Sequence, residues 1–182
     1  IWEAEGYEPA FASPILIDVG GQLQIVLFAV DLVFGLDVET GERLWEHEHK
    51  TSYKVNASTP VWDGESLLFI SSAYDSGSRA LKLTRGEEGK TRVEQAWATR
   101  DVEVHHQTAV MVDGRIYASS GDFGPAFLTG LDPADGELRF RERGFAKANL
   151  LAVGDEIVIL DADGTLAIAR PRSAGLDVLA RA

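Results

Sequence analysis

Aromatic residues that follow a charged or polar stretch return along this chain at Trp2, Trp45, Trp97 and Phe140, with Leu179 in the corresponding place near the end. The interval drifts around roughly 40 to 50 residues, the length of a four-stranded propeller blade. Two further markers keep the same rhythm. Ser13-Pro14, Thr59-Pro60, Thr108-Ala109 and Asn149-Leu150 each open an apolar run that closes at Gly20-Gly21, Asp63-Gly64, Asp113-Gly114 or Gly154-Asp155. A small, an apolar and a polar residue then precede another turn at Gly35-Leu36-Asp37, Ala80-Leu81-Lys82 and Gly130-Leu131-Asp132. A unit of this size cannot bury its apolar faces alone, so successive units must stack.

Inside each unit the pattern is of strands: short runs of β-formers, apolar or alternating, are separated by Gly, Asp and Pro where tight reversals need them. The second unit reads as four strands, at 57–62, 66–71, 79–84 and 93–98. The stretch 37–42 could start a helix by local propensity, but Gly41 and the following Leu44-Trp45 suit a turn into a strand better. The expectation is an all-β propeller segment of four-stranded antiparallel blades at about 11–48, 56–100, 106–143 and 148–182, with 1–6 as the outer strand of a preceding blade. Both ends of such a segment are open. It should associate through its terminal blades or form part of a larger ring.

Composition narrows the partners. The 182 residues suit one domain, and 17 basic against 29 acidic side chains give a net charge of −12. That sign repels nucleic acid and anionic membrane surfaces. There is no cysteine, which removes disulfides, thiolate zinc sites and iron–sulfur clusters together. No apolar run approaches the roughly 18 residues a transmembrane helix needs.

The run Gly35-Leu36-Asp37-Val38-Glu39-Thr40-Gly41-Glu42-Arg43-Leu44-Trp45 resembles the tryptophan-docking repeat of quinoprotein propellers, whose units end in Leu-Asp-x-x-Thr-Gly-x-x-x-Trp. Residues 130–140 are a second copy, with Asp135 for Thr and Phe140 for Trp. The chain is therefore similar to the bacterial pyrroloquinoline-quinone-like (PQQ-like) propeller proteins, including the outer-membrane assembly lipoprotein propellers. The resemblance implies a ring of seven or eight blades, of which this chain is about half, and a periplasmic or extracytoplasmic location. Trp2, Trp45, Trp97 and Phe140 would then be structural docks between blades, each burying about 150 to 250 Å².

Function in a propeller sits on the face made by the connections between blades and by the turns joining second and third strands. The first set holds His47, His49, Lys50, Tyr53, Asn56, Glu103, His105, His106, Lys147 and Asn149; the second holds Asp31, Tyr74, Asp75, Asp122, Phe123, Asp161 and Asp163. Lys50, Tyr53, Asn56, His105, His106, Asp122 and Lys147 form the candidate binding face, locally less negative than the chain and suited to a carboxylate, a sugar or an acidic peptide loop. A metal at His105, His106 and Asp122 is disfavoured, because adjacent residues on an extended strand point apart. Asp31, Asp75, Asp122 and Asp163 could suggest calcium, but turns select Asp for local hydrogen bonding anyway. Dehydrogenases with this fold use a calcium-held quinone and often a vicinal cysteine pair, and no cysteine is present, so neither PQQ nor calcium is expected in this segment. The reading is a non-catalytic binding or scaffolding module for a protein partner or the remaining blades. A small-molecule or glycan binder on the channel face, or a fragment of a quinone-dependent dehydrogenase, are the alternatives.

Overall fold

The computed structural model describes residues 2–3 and 6–182. Among these residues four antiparallel sheets of four strands follow one another. Blade 1 comprises β1 (Ile15–Val19), β2 (Gln22–Phe28), β3 (Leu32–Asp37) and β4 (Arg43–Glu48); blade 2 comprises β5 (Val61–Trp62), β6 (Leu67–Ser72), β7 (Gly77–Arg85) and β8 (Thr91–Thr99). Blade 3 holds β9 (Val110–Val112), β10 (Arg115–Ser120), β11 (Phe127–Leu131) and β12 (Leu138–Glu142), and blade 4 holds β13 (Ala148–Val153), β14 (Glu156–Asp161), β15 (Leu166–Arg172) and β16 (Gly175–Arg181). This is a partial β-propeller. The only helical piece among the described residues is a short 3-10 turn at Glu87–Gly89. Trp2 lies in irregular chain, while positions 1, 4 and 5 of the expected leading strand lie outside the described residues.

Turn chemistry explains the reversals. At the β1–β2 turn Gly20 and Gly21 take φ of 58° and 83°, and the Asp18 carboxylate accepts the Gly21 N–H at 2.6 Å. Two successive positive φ values make the hairpin turn whose twist matches its strands. Between β3 and β4, Asp37 accepts the N–H groups of Glu39 and Thr40, each at 2.9 Å, and Gly41 adopts φ 74°. Residues 37–42 are thus a turn and not a helix: the Gly41 N–H closes a single turn onto the Asp37 carbonyl at 2.9 Å, and the positive φ of Gly41 then leads the chain into β4.

The core lies between blades. One cluster joins Ile17, Val19, Val26 and Trp45 of blade 1 to Leu68, Ile70, Leu81 and Leu83 of blade 2. Others join Phe69 to Ile116 and Leu131 across blades 2 and 3, and Leu128 and Phe140 to Ile157 and Ile159 across blades 3 and 4. Blade 4 turns Leu151, Leu160, Leu166 and Ile168 to solvent. The first strands line an open trough of about 510 Å³ with Ile15, Leu16, Val61, Trp62, Met111 and Leu151.

The repeated aromatics follow one rule. On the third strand Gly35, Ala80 and Gly130 pair with Trp45, Trp97 and Phe140 on the fourth, and a bulge follows each pair. The small residue is required. A Cβ at Gly35 would lie 2.1 Å from the Trp45 indole nitrogen, and one at Gly130 2.2 Å from the Phe140 ring. Trp2 and Trp97 instead reach the following blade, where their rings cover the turn glycines Gly41 and Gly136 and their N–H groups donate to Val38 O (3.1 Å) and Pro133 O (2.7 Å). Trp45 is buried at 5% exposure and donates to Gln24 Oε1 at 2.7 Å; Gln24 in turn donates to Thr91 of blade 2, also at 2.7 Å.

Blade 4 corrects one expectation. Ile168 pairs with Ala180 and Ala169 with Val178, so Leu179 is the extra residue of the bulge and Ala180 holds the aromatic position. The large and small partners are exchanged there, and Leu179 is 46% exposed. Trp45→Ala should therefore lower unfolding free energy by about 3 to 5 kcal/mol, whereas Leu179→Ala should stay within about 0.5 kcal/mol. Urea titrations of both variants check this. Comparable losses would contradict the register.

Candidate functional site

The rim built by the interblade connections and the β6–β7 and β10–β11 turns carries a cluster drawn from five segments. Tyr74 is its hub. It stands in the β6–β7 turn at φ 62°, followed by Asp75 at φ 62°, a backbone region that side chains other than Gly rarely occupy. Its backbone N–H donates to Asp122 Oδ2 at 3.3 Å, and its hydroxyl shares a 2.6 Å hydrogen bond with His105 Nε2. Its ring meets Tyr53 at 4.8 Å, His105 edge-on at 4.8 Å and Phe123 at 6.0 Å. Tyr53 and Phe123 are 66% and 83% exposed, so they form the outer surface of an aromatic shelf.

His105 and His106 stack with ring centroids 3.7 Å apart. The expectation that they point to opposite sides fails because this connection is not extended strand; the chain bends at 106–107. His105 Nδ1 lies 3.6 Å from Asp122 Oδ1, too far for a hydrogen bond, and both atoms are buried without a hydrogen-bond partner among the described residues. Burial, then His106 and Lys147, depress the His105 pKa, and Asp122 only partly offsets them. A neutral imidazole follows, able to accept the Tyr74 O–H when Nδ1 carries the proton. Lys147 donates to the Asp122 backbone carbonyl, joining the third connection to the cluster. Burial followed by the charges of Asp75 and Asp122 raises the Glu103 pKa beneath the rim. Among the described residues no group of three His, Cys, Asp or Glu side chains has metal-binding geometry.

The structure thus places Tyr53, His105, His106, Asp122 and Lys147 together, with Tyr74 and Phe123. Lys50 lies beside them. Its carbonyl accepts from Ser76 at 2.6 Å, while its ammonium pairs with Glu48 at 2.6 Å over a separate hollow. Sequence reasoning missed the serines that fix the rim. Ser71 and Ser120 accept the N–H groups of Val104 and Glu103, and Ser119 accepts that of Ala148. The signal was present, since Ser-Ser ends the second strand of both blade 2 and blade 3.

A family model described as outer membrane protein assembly factor BamB matches residues 1–121. Among solved structures the chain is similar to the computationally designed Ika4 protein (14% identity, 94% of this chain and 100% of that one, TM-score 0.60). It is also similar to BamB from Moraxella catarrhalis (13% identity, 92% of this chain, TM-score 0.46) and to Bacteroides ovatus Xyloglucan PUL GH43B (14% identity, 94% and 41% of the two chains, TM-score 0.41). The chain spans 62% of the length of the Moraxella catarrhalis protein. No curated protein matches. At these identities the likeness to solved structures bears on the fold alone.

Three residues placed on the face by sequence are buried: Asp161, whose carboxylate caps its own turn at Asp163 and Thr165, and Asn56 and His49. Asn56 is fully buried and donates to the carbonyls of Ala29 (2.7 Å) and Val30 (2.9 Å), so it pins the first connection to blade 1 and presents nothing outward. His49, also fully buried, shares a 3.1 Å hydrogen bond with Ser72, which donates to Asn56 Oδ1 at 2.5 Å. Burial, reinforced by Arg79 and His47, lowers the His49 pKa to about 3. The unfolded chain then binds a proton near pH 6.5 that the folded chain refuses, so stability falls as pH drops below about 6.5 and continues to fall toward pH 3. His49 alone should remove about 2 kcal/mol between pH 7 and pH 5. Urea unfolding across that range should show a flatter pH dependence for His49→Gln, and an unchanged slope would contradict the assignment.

Proposed function

The chain belongs to the outer membrane protein assembly factor BamB family, and we propose that it is a non-catalytic module that docks a protein partner on the aromatic rim of blades 2 and 3. One observation carries this reading: exposed Tyr53 and Phe123 rest on the half-buried Tyr74, which His105 of the next connection braces. Aromatic groups anchored on a rigid support are what interfaces use as energetic centres, because they bury large area at small entropic cost. The Tyr74–His105 hydrogen bond fixes the shelf before a partner arrives. A periplasmic setting at the outer membrane belongs to the same proposal, and further blades or a partner would cover the apolar face of blade 4.

A photoreactive phenylalanine analogue placed at 123 or 53, with Leu23 at the opposite rim as control, tests this in the cells that make the protein. One defined adduct from 53 and 123, absent from 23 and lost with Tyr74→Ala, is the expected result. No adduct, or the same adduct from all three positions, would overturn it.

A further inference from the structure

Beside the aromatic shelf lies an open hollow of about 360 Å³ lined by Lys50, Asp75, Ser76, Arg79, Thr99 and Arg100. Three cations converge there in a chain whose net charge is −12. Different segments supply them: Lys50 comes from the first interblade connection, Arg79 from β7, and Arg100 follows β8. Two backbone approaches build the walls. Ser76 Oγ donates to the Lys50 carbonyl at 2.6 Å and ties the β6–β7 turn to the connection. Gly77, at φ 72°, lets the end of β8 lie against β7, where a Cβ would meet Thr99 O at 2.2 Å.

Arg79 is the informative residue. Arg79 is half-buried as a residue; its guanidinium donates to the Glu48 carbonyl at 2.7 Å, and no carboxylate lies within 4 Å of it among the described residues. The Glu48 carboxylate attracts Arg79 only from beyond contact distance, and a partly desolvated cation without a contacting anion is costly, a cost that a bound anion relieves. Its remaining N–H groups are available in the fork geometry that matches an oxyanion. The Thr99 hydroxyl is turned to Asp101 at 3.2 Å and that of Ser76 is spent on Lys50, so recognition falls to the cations.

We propose that this hollow is a carboxylate-binding site, and that it receives an acidic side chain or chain terminus of the protein segment seated on the neighbouring shelf. The occupant rests on the docking reading above; the site itself does not. Charge selects a carboxylate over phosphate. Lys50, Arg79 and Arg100 stand against Asp75 on the lining and Glu48, which pairs with Lys50, while Asp31 and Glu103 act on Lys50 and on Arg100 from further out, so the positive charge left in the hollow is at most that needed by a monoanion. Asp75 would also repel the second charge of phosphate. The shelf and the hollow share the β6–β7 turn, in which Tyr74 faces one and Asp75-Ser76 the other, so an aromatic or apolar residue and a nearby acidic one on the same segment fill both.

Amide and arginine side-chain NMR titrations of the protein test this with three probes: sodium acetate, inorganic phosphate, and a short acetylated peptide carrying one Glu and one Phe, with its Gln counterpart. Acetate should shift the Ser76, Thr99 and Arg100 amides and the Arg79 Nε–H, with weaker binding at higher salt. Arg100→Gln, an exposed change that leaves the fold alone, should weaken acetate binding at least threefold, and Arg79→Gln at least tenfold. The Glu peptide should bind at least tenfold tighter than acetate and than the Gln peptide. Phe123→Ala should remove the peptide's advantage and leave acetate unchanged. Absence of acetate shifts at these residues, or shifts that persist in both arginine variants, would overturn the site. Phosphate binding tighter than acetate would overturn the carboxylate assignment. Acetate binding without any peptide advantage would leave the site standing and overturn its occupant.

Discussion

The close approach of an aromatic ring to a residue without a side chain is the contact on which the rest of this molecule depends. Within a blade Trp45 lies over Gly35 and Phe140 over Gly130; between blades Trp2 covers Gly41 and Trp97 covers Gly136. Each glycine does steric work, because a Cβ there would fall within 3 Å of the ring. The bulge after each small residue bends the outer strand so that its aromatic meets the neighbour. Since every blade is placed by the one before it, the connections return to one rim, and Tyr53, Tyr74, His105, Asp122 and Lys147 meet there although they are far apart in sequence.

The rim has two layers of different character. Beneath, Ser71, Ser72, Asn56 and His49 satisfy buried backbone and side-chain groups and hold neutral histidine in the interior. Above, Tyr53, Phe123 and His106 face solvent. Buried polar groups that are paired rigidify a scaffold, and exposed aromatics on a rigid scaffold are costly unless something covers them. This division supports a docking role more than a chemical one.

Much of the architecture was legible in sequence, because its determinants are local and periodic. Asp-Gly and Gly-Gly turns, the Leu-Asp-x-x-Thr-Gly run and the spacing of Trp45, Trp97 and Phe140 mark blades directly. What escaped depends on direction and on single-residue shifts. A bulge adds one residue without changing composition, so Leu179 read as the counterpart of the recurring aromatics in place of Ala180. A loop position does not reveal which way its side chain turns, so Asn56 and His49 read as face residues although they are wholly buried. The stacking of His105 on His106 and the positive φ of Tyr74 arise from chain bends that no periodic pattern records.

The placement of each blade depends on the dock with its neighbour, and a double-mutant cycle between Trp97 and Gly136 measures that dock. Gly136→Ala in the native background drives a methyl into the Trp97 ring, 2.5 Å from the nearest atom, on top of the strain of φ 74°. With Trp97→Ala already in place only the backbone strain is left. The two substitutions should therefore be non-additive by about 1 kcal/mol or more in urea titrations. Additivity within about 0.5 kcal/mol would show that the ring does not rest on that glycine, and the blade-to-blade dock would have to be abandoned.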